Sequence, residues 1–177
     1  EPVFYFFQGY SNKNFKNYDE AIQSFKTGIE FVVDNNKLLV EFYSSLAEAY
    51  HAIKNHELSD SFYEKVLEIE PENTIALNNY AYYLSLRKVH LKKAKQMSLK
   101  SNKIEEDNGT YQDTYAWILY QNNEYEEAKK WIIKALNNGA ENNPVVVEHY
   151  GDILYQLGDV SGAVVQWKKA KQIGSES

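Results

Sequence analysis

The sequence predicts an all-α protein, a solenoid of about five stacked helical hairpins, and three observations support this prediction. Shifting the chain by 35 residues superimposes Tyr80-Ala81 on Tyr115-Ala116 and then on Tyr150-Gly151. Within each copy, apolar residues recur at helical spacing in two blocks separated by a short polar segment. Asn123 and Gly158, which tolerate a left-handed backbone, occupy the same place between the two blocks. Each copy is therefore predicted to be two helices joined by a turn.

The repeats divide the whole chain. A single array over residues 1–177 is expected, with repeats at approximately 2–36, 40–73, 74–108, 109–143 and 144–174. Pro71 and Pro144 fall between hairpins, where a missing amide hydrogen is harmless at a helix start. The first copy matches the pattern most weakly, because Asn12 stands where the other copies carry Leu or Tyr.

Small residues recur in register in both helices of the hairpin. Halfway along the first helices stand Gly9, Ala47, Ala81, Ala116 and Gly151. Near the start of the second helices stand Ala21, Ser59, Ala94, Ala128 and Ala163. A larger side chain there would hold the paired helices apart, so close packing explains the pattern. Large residues are predicted to fill the space between successive hairpins, namely Phe25, Tyr63, Ile132 and Trp167.

Composition excludes several classes of protein. Hydrophobic residues make up 44% and charged residues 25% of the 177 residues, so a folded core is expected. With no cysteine, a disulfide framework, a thiolate nucleophile and a Cys-based metal site are excluded. The net charge of −6 opposes nucleic acid and anionic lipid, and no apolar run approaches the roughly 20 residues of a membrane span. Because the first residue is Glu1 rather than Met, we expect a processed product or part of a longer chain. Cytoplasmic and periplasmic or exported locations are both compatible.

This pattern resembles the tetratricopeptide repeat (TPR), a 34-residue helix-turn-helix family. The clearest match runs from Tyr150-Gly151 through Ala163, Trp167 and Ala170. The resemblance implies a right-handed superhelix whose first helices line a concave groove, and a noncatalytic protein-interaction scaffold. The segments 77–81 and 113–117 also look like repeats of bacterial exported proteins. The hairpin after Tyr80 carries Ser98 and Ser101 at packing positions and one extra turn residue, so we expect it to pack most loosely.

In this family the exposed stripe of the first helices is the binding surface. The corresponding residues here are Asn78, Tyr82, Ser85, Asp113, Trp117, Tyr120, Gln121, Glu148, Asp152 and Tyr155. Trp117 is the most informative, because an indole off the packing columns costs free energy unless something covers it. The aromatic residues could instead pack on one another, and the two interpretations are compatible. With acids, amides and aromatics but no Lys or Arg, the stripe favours a protein or peptide with apolar or basic side chains. A C-terminal carboxylate clamp is not expected.

Other signals are given structural explanations. The basic run from Arg87 to Lys103 is interpreted as a solvated helix face rather than a nucleic-acid site. His149 and Asp152 have a metal-compatible spacing but lack further donors. No nucleophile motif, metal set or phosphate loop is found, so no cofactor and no enzymatic activity are predicted. The apolar chain ends leave open an alternative role, as an architectural or self-association segment of a larger protein or as a homo-oligomer.

Overall fold

The computed structural model describes residues 1–176, and the described chain is helical. The first hairpin consists of α1 Pro2–Asn14 and α2 Tyr18–Ile29, and the second of α3 Asn36–Ala52 and α4 His56–Ile69. The third hairpin consists of α5 Thr74–Leu86 and α6 Leu91–Ile104. The last two hairpins comprise α7 Gly109–Gln121 and α8 Tyr125–Ala135, then α9 Pro144–Gln156 and α10 Val160–Glu176. A π-helical turn, Leu136–Ala140, follows α8.

The helices form two compact units, residues 1–76 and residues from Leu77 onward. In the first unit α1 packs on α2, α3 packs on α4, and α2 meets α3. Its core gathers Ala21, Phe25, Phe42, Leu46 and Tyr50. Successive helices therefore bury one continuous apolar seam, as the hairpin pattern predicts.

The second unit repeats this arrangement. Here α7 packs on α8 and α9 packs on α10, while α6 meets α7 and α8 meets α9. Its core is centred on Ala116, Leu119, Ala128, Ile132 and Val146. The all-α, stacked-hairpin prediction is confirmed.

Close packing explains the small residues. A Cβ added to Gly9 would lie 2.5 Å from the ring of Phe25, and one added to Gly151 would lie 2.5 Å from the indole of Trp167. Such distances are far shorter than real contacts. The aromatic side chain of the second helix therefore occupies the space that a side chain on the first helix would need.

A left-handed residue ends the first helix in every hairpin. Asn123 and Gly158, with φ of 62° and 85°, adopt this conformation as predicted. Three lysines take the same place in the other hairpins, namely Lys16, Lys54 and Lys88. The extra turn residue after α5 is accommodated by a second left-handed residue, His90, with φ 48°.

The hairpin with serines at packing positions is linked to the next hairpin by a hydrogen bond. Ser98 and Ser101 are fully buried. Asn102 Nδ2 donates to the backbone oxygens of Ser98 and Tyr111, both at 2.9 Å. The side chain of Asn102 thus ties α6 to the next hairpin, which sequence reasoning did not foresee.

The π-helical turn brings backbone close to the start of α7. Gly139 has φ 90°. A Cβ on Gly109 would lie 2.7 Å from the carbonyl oxygen of Asn138 and 2.9 Å from that of Ala135. Glycine at position 109 is therefore required by a close backbone approach.

Candidate functional site

The ten predicted binding residues lie on three first helices of the second unit. Asn78, Tyr82 and Ser85 are on α5; Asp113, Trp117, Tyr120 and Gln121 are on α7; and Glu148, Asp152 and Tyr155 are on α9. We call this set the first-helix face.

Trp117 forms the centre of an aromatic stack. Its ring lies 4.8 Å from that of Tyr120, at an interplanar angle of 9°. The ring also lies 4.0 Å from the imidazole of His149, at 14°. Because α7 supplies two of these rings and α9 the third, the stack joins two consecutive hairpins. Trp117 is half-buried: its ring packs on its neighbours, and part of it stays accessible.

A buried hydrogen bond fixes the stack. Nδ1 of His149 lies 2.9 Å from Oδ1 of Asp113, and both side chains are buried. Asp113 accepts this hydrogen bond when Nδ1 carries the proton. The imidazole is therefore held parallel to the indole of Trp117. The indole Nε1 itself is buried and has no hydrogen-bond partner within the described part of the chain.

Sequence reasoning missed His149. It considered this residue only as a weak metal ligand beside Asp152, whereas the structure pairs it with Asp113, 36 residues earlier. The available signal was the repeat itself, because a shift of 35 residues places His149 over Thr114, next to Asp113. Within residues 1–176, no group of three or more potential ligands could hold a metal ion.

Three of the ten predicted residues are buried rather than open to a ligand. Asn78 and Asp113 are nearly inaccessible, and Ser85 is fully buried with its hydroxyl donating to the backbone oxygen of Tyr82 at 2.6 Å.

Burial, followed by the negative charge of Asp113, raises the pKa of the Tyr82 phenol. Tyr82 is half-buried and stays neutral near pH 7.

The remaining residues form the accessible part of the first-helix face. Glu148 and Tyr155 are exposed, and Tyr155 is 51% accessible. Gln121 and Asp152 are half-buried. Asp152 accepts a 2.9 Å hydrogen bond from Nε1 of Trp167, which fixes its carboxylate on the edge of the face.

Two basic residues of α6 contact side chains outside this helix. Nζ of Lys95 lies 2.6 Å from a carboxylate oxygen of Glu124, and Nζ of Lys93 lies 4.7 Å from the ring centroid of Tyr80. Lys92 and Lys103 are exposed. These contacts fit the interpretation of a solvated helix face.

Across residues 1–176, we find no helix with both the length and the apolar character that crossing a membrane requires.

Comparison with known proteins gives consistent matches. The tetratricopeptide repeat family model matches residues 3–31, 40–73 and 111–138, just over half of the chain. A TPR repeat-containing protein of Pseudomonas aeruginosa is 27% identical over 134 residues, which is 76% of this chain. The alignment covers 22% of that relative, so the chain spans about a fifth of its length.

Two solved structures show the same fold. MamA from Desulfovibrio magneticus superimposes with a TM-score of 0.81 at 13% identity, covering 99% of this chain and 96% of that one. PilF of Pseudomonas aeruginosa gives a TM-score of 0.80 at 21% identity, covering 97% and 75% respectively. TPR repeats generally mediate protein–protein interaction and are generally noncatalytic scaffolds. The repeated small residues, the paired helices and these matches together show that the chain belongs to the tetratricopeptide repeat family.

Proposed function

We propose that the chain is a noncatalytic scaffold that binds an extended peptide or a partner helix on the first-helix face of its second unit. The observation that supports this most strongly is the stack of Tyr120, Trp117 and His149, fixed from below by Asp113. Trp117 and Tyr120 remain partly accessible and are already held in place by these contacts, so they lose little conformational entropy on binding. Tyrosine and tryptophan are also the side chains that most often dominate binding energies.

The charge of the face supports one class of ligand. Its accessible charged groups near pH 7 are the carboxylates of Glu148 and Asp152. A basic segment is therefore favoured over an acidic one, and apolar ligand side chains fit against Tyr155 and the accessible parts of the other rings. The face itself supplies no Lys or Arg to hold a ligand's terminal carboxylate, although Lys171 lines the same recess as Glu148 and Asp152.

Two fluorescein-labelled helical peptides test this proposal, one of leucine and lysine and one of leucine and glutamate. In fluorescence-anisotropy titrations, the lysine peptide should bind and the glutamate peptide should not. Tyr155→Ala should weaken binding about tenfold or more, since an exposed aromatic anchor is lost. Phe15→Ala, which removes a 77% exposed aromatic outside the face, is the matched control.

A second pair of variants serves as a control for the effect of overall charge on binding. Glu148→Lys and Glu141→Lys change the net charge equally, and both positions are exposed, but Glu141 lies in the loop before α9. Glu148→Lys should weaken binding of the lysine peptide, and Glu141→Lys should not. Equal effects of the two variants, or tight binding of the glutamate peptide, would show that the first-helix face is not the binding site.

Self-association is a second candidate role, because apolar residues are exposed near both chain ends. In α1 these are Phe4 and Phe7, and in α10 they are Val164 and Val165.

A further inference from the structure

The chain contains two Asn-Gly pairs, and both lie on one cavity. The pairs are Asn108-Gly109, at the start of α7, and Asn138-Gly139, in the π-helical turn. The cavity has a volume of about 530 Å³, and its lining includes all four residues. Glycine after asparagine has a chemical consequence, because no side chain keeps its backbone nitrogen away from the side-chain carbon Cγ of the asparagine. The same dipeptide thus occurs in two different structural settings.

Asn108 is held firmly because it caps a helix. Its Oδ1 accepts hydrogen bonds from the backbone N–H groups of Thr110 and Tyr111, at 3.1 and 3.2 Å. Its Nδ2 donates to Oε2 of Glu105 at 3.0 Å. Gly109 is buried, and an added Cβ would lie 2.7 Å from a backbone carbonyl oxygen. An approach of the Gly109 nitrogen to Cγ of Asn108 would therefore break these hydrogen bonds and disturb tight backbone packing.

Fewer contacts hold Asn138. Within residues 1–176 its side chain makes one hydrogen bond, from Nδ2 to Oε1 of Gln112 at 3.1 Å. Its backbone, at φ −103° and ψ 37°, lies outside the helical region. Gly139 is exposed, and in the described part of the chain an added Cβ there would meet no neighbouring atom within 4 Å. The carbonyl oxygen of Asn138 lies against Gly109, so this peptide group is packed on one side and open on the other.

We propose that Asn138 is a site of spontaneous deamidation in the folded chain, whereas Asn108 is protected. In this reaction the backbone nitrogen of Gly139 loses its proton and forms a bond to Cγ of Asn138. The bond from Cγ to Nδ2 breaks, and the amide nitrogen takes up the proton and leaves as ammonia. Water from the solvent then hydrolyses the resulting five-membered succinimide at either of its carbonyl groups. The product is an aspartate or an isoaspartate, in which the main chain runs through the former side chain.

This modification removes a contact between the π-helical turn and α7. Gln112 is fully buried, and its Nε2 donates to the backbone oxygen of Glu106 at 2.6 Å. Its Oε1 accepts from Asn138, and a carboxylate at position 138 has no proton to donate. Leaving a buried acceptor unpaired costs free energy. In the isoaspartate the main chain also gains a carbon atom, which changes the carbonyl group that faces Gly109. The deamidated chain is therefore less stable, and this inference does not depend on peptide binding.

Incubation in mildly alkaline buffer, followed by mass spectrometry of peptic peptides, tests the proposal. Digestion in acid adds no deamidation, and fragmentation locates the asparagine that has become an acid. In the folded chain Asn138 should react at least about tenfold faster than Asn108, because Asn108 must first leave its helix cap. In guanidinium chloride, where the fold protects neither residue, both should react at similar rates. Asn138→Gln should abolish the signal, which distinguishes Asn138 from its neighbour Asn137.

Two charge-matched variants test the consequence for stability. Asn138→Asp reproduces the aspartate product, and Asn137→Asp adds the same charge at an exposed neighbouring position. Asn138→Asp should lower the midpoint of urea denaturation, and Asn137→Asp should leave it nearly unchanged. The proposal is overturned if Asn108 reacts as fast as Asn138 in the folded chain, or if Asn138 reacts only in guanidinium chloride. Equal midpoints for the two variants would overturn the inferred loss of the contact with Gln112.

Discussion

Gly151→Ala tests whether close packing fixes the small residue halfway along each first helix. The new Cβ would lie 2.5 Å from Cδ1 and Nε1 of Trp167, whereas ordinary contacts begin at 3.4 Å. The indole must therefore retreat by about 0.9 Å, which breaks or weakens its 2.9 Å hydrogen bond to Asp152. Overpacking costs about 1–3 kcal/mol and the hydrogen bond about 1 kcal/mol. Alanine recovers about 1 kcal/mol of helix propensity. The free energy of unfolding should fall by about 1–3 kcal/mol.

A double variant shows whether the cost comes from the indole. Trp167→Ile reproduces the residue pair of the fourth hairpin. There Ala116 corresponds to position 151 and the buried Ile132 to position 167, and both belong to one core cluster. In that background Gly151→Ala should cost nothing, or should stabilise by up to about 1 kcal/mol through helix propensity. Urea denaturation followed by far-UV circular dichroism measures all four chains.

The reasoning is refuted if Gly151→Ala costs as much with Trp167→Ile as without it. Glycine would then be needed for a reason other than the space taken by the indole.

Three further predictions concern the turns, the helix caps and pH. Lys54 adopts φ 62°, so Lys54→Gly should raise the free energy of unfolding by about 0.5–1 kcal/mol, whereas Gly158→Ala, at φ 85°, should lower it by about 1 kcal/mol, both measured in urea. The side chain of Asn108 accepts hydrogen bonds from two backbone N–H groups at the start of α7, so Asn108→Ala should cost about 1 kcal/mol in the same assay. The pKa of Tyr82 is raised above the usual 10.0 by burial and then by Asp113, so the folded chain resists ionisation. The stability that Tyr82 contributes is present below pH 10.0, and it is lost as the pH rises through the higher pKa of Tyr82 in the folded chain. Tyr82→Phe should therefore flatten the fall of Tm between about pH 9 and 11.

Each of these predictions has a contrary outcome. No gain from Lys54→Gly would mean that the left-handed lysine carries no strain. An unchanged stability in Asn108→Ala would mean that water replaces the cap. A pH slope that is the same with and without Tyr82 would assign the alkaline loss of stability to other groups.

The sequence was sufficient to predict the paired helices, because their periodic apolar residues and small residues act within one hairpin. It also located two of the left-handed turn residues, Asn123 and Gly158, since these residue types favour that conformation. It could not locate Lys16, Lys54 or Lys88, because lysine carries no such preference and the turn is imposed by the packing of the two helices.

The candidate site was less predictable. Trp117 and Tyr120 were identified by their positions off the packing columns. The burial of Asn78 and Ser85 could not be read from their own helix, because burial depends on what the neighbouring helices contribute. His149 was missed for the same reason, since its partners Asp113 and Trp117 lie on another hairpin. Whether the ten residues bind a ligand stays a prediction.

The π-helical turn accommodates one extra residue in the connection between the fourth and fifth hairpins. The interval from Ala128 to Gly151 is 23 residues, one more than the 22 from Ala94 to Ala116. The surplus residue is taken up within Leu136–Ala140, so α8 and α9 keep their packing faces. This tolerance of length depends on Gly109, because the carbonyl oxygens facing it belong to the main chain and cannot rotate away. The longer connection after α8 thus restricts the start of α7 to glycine.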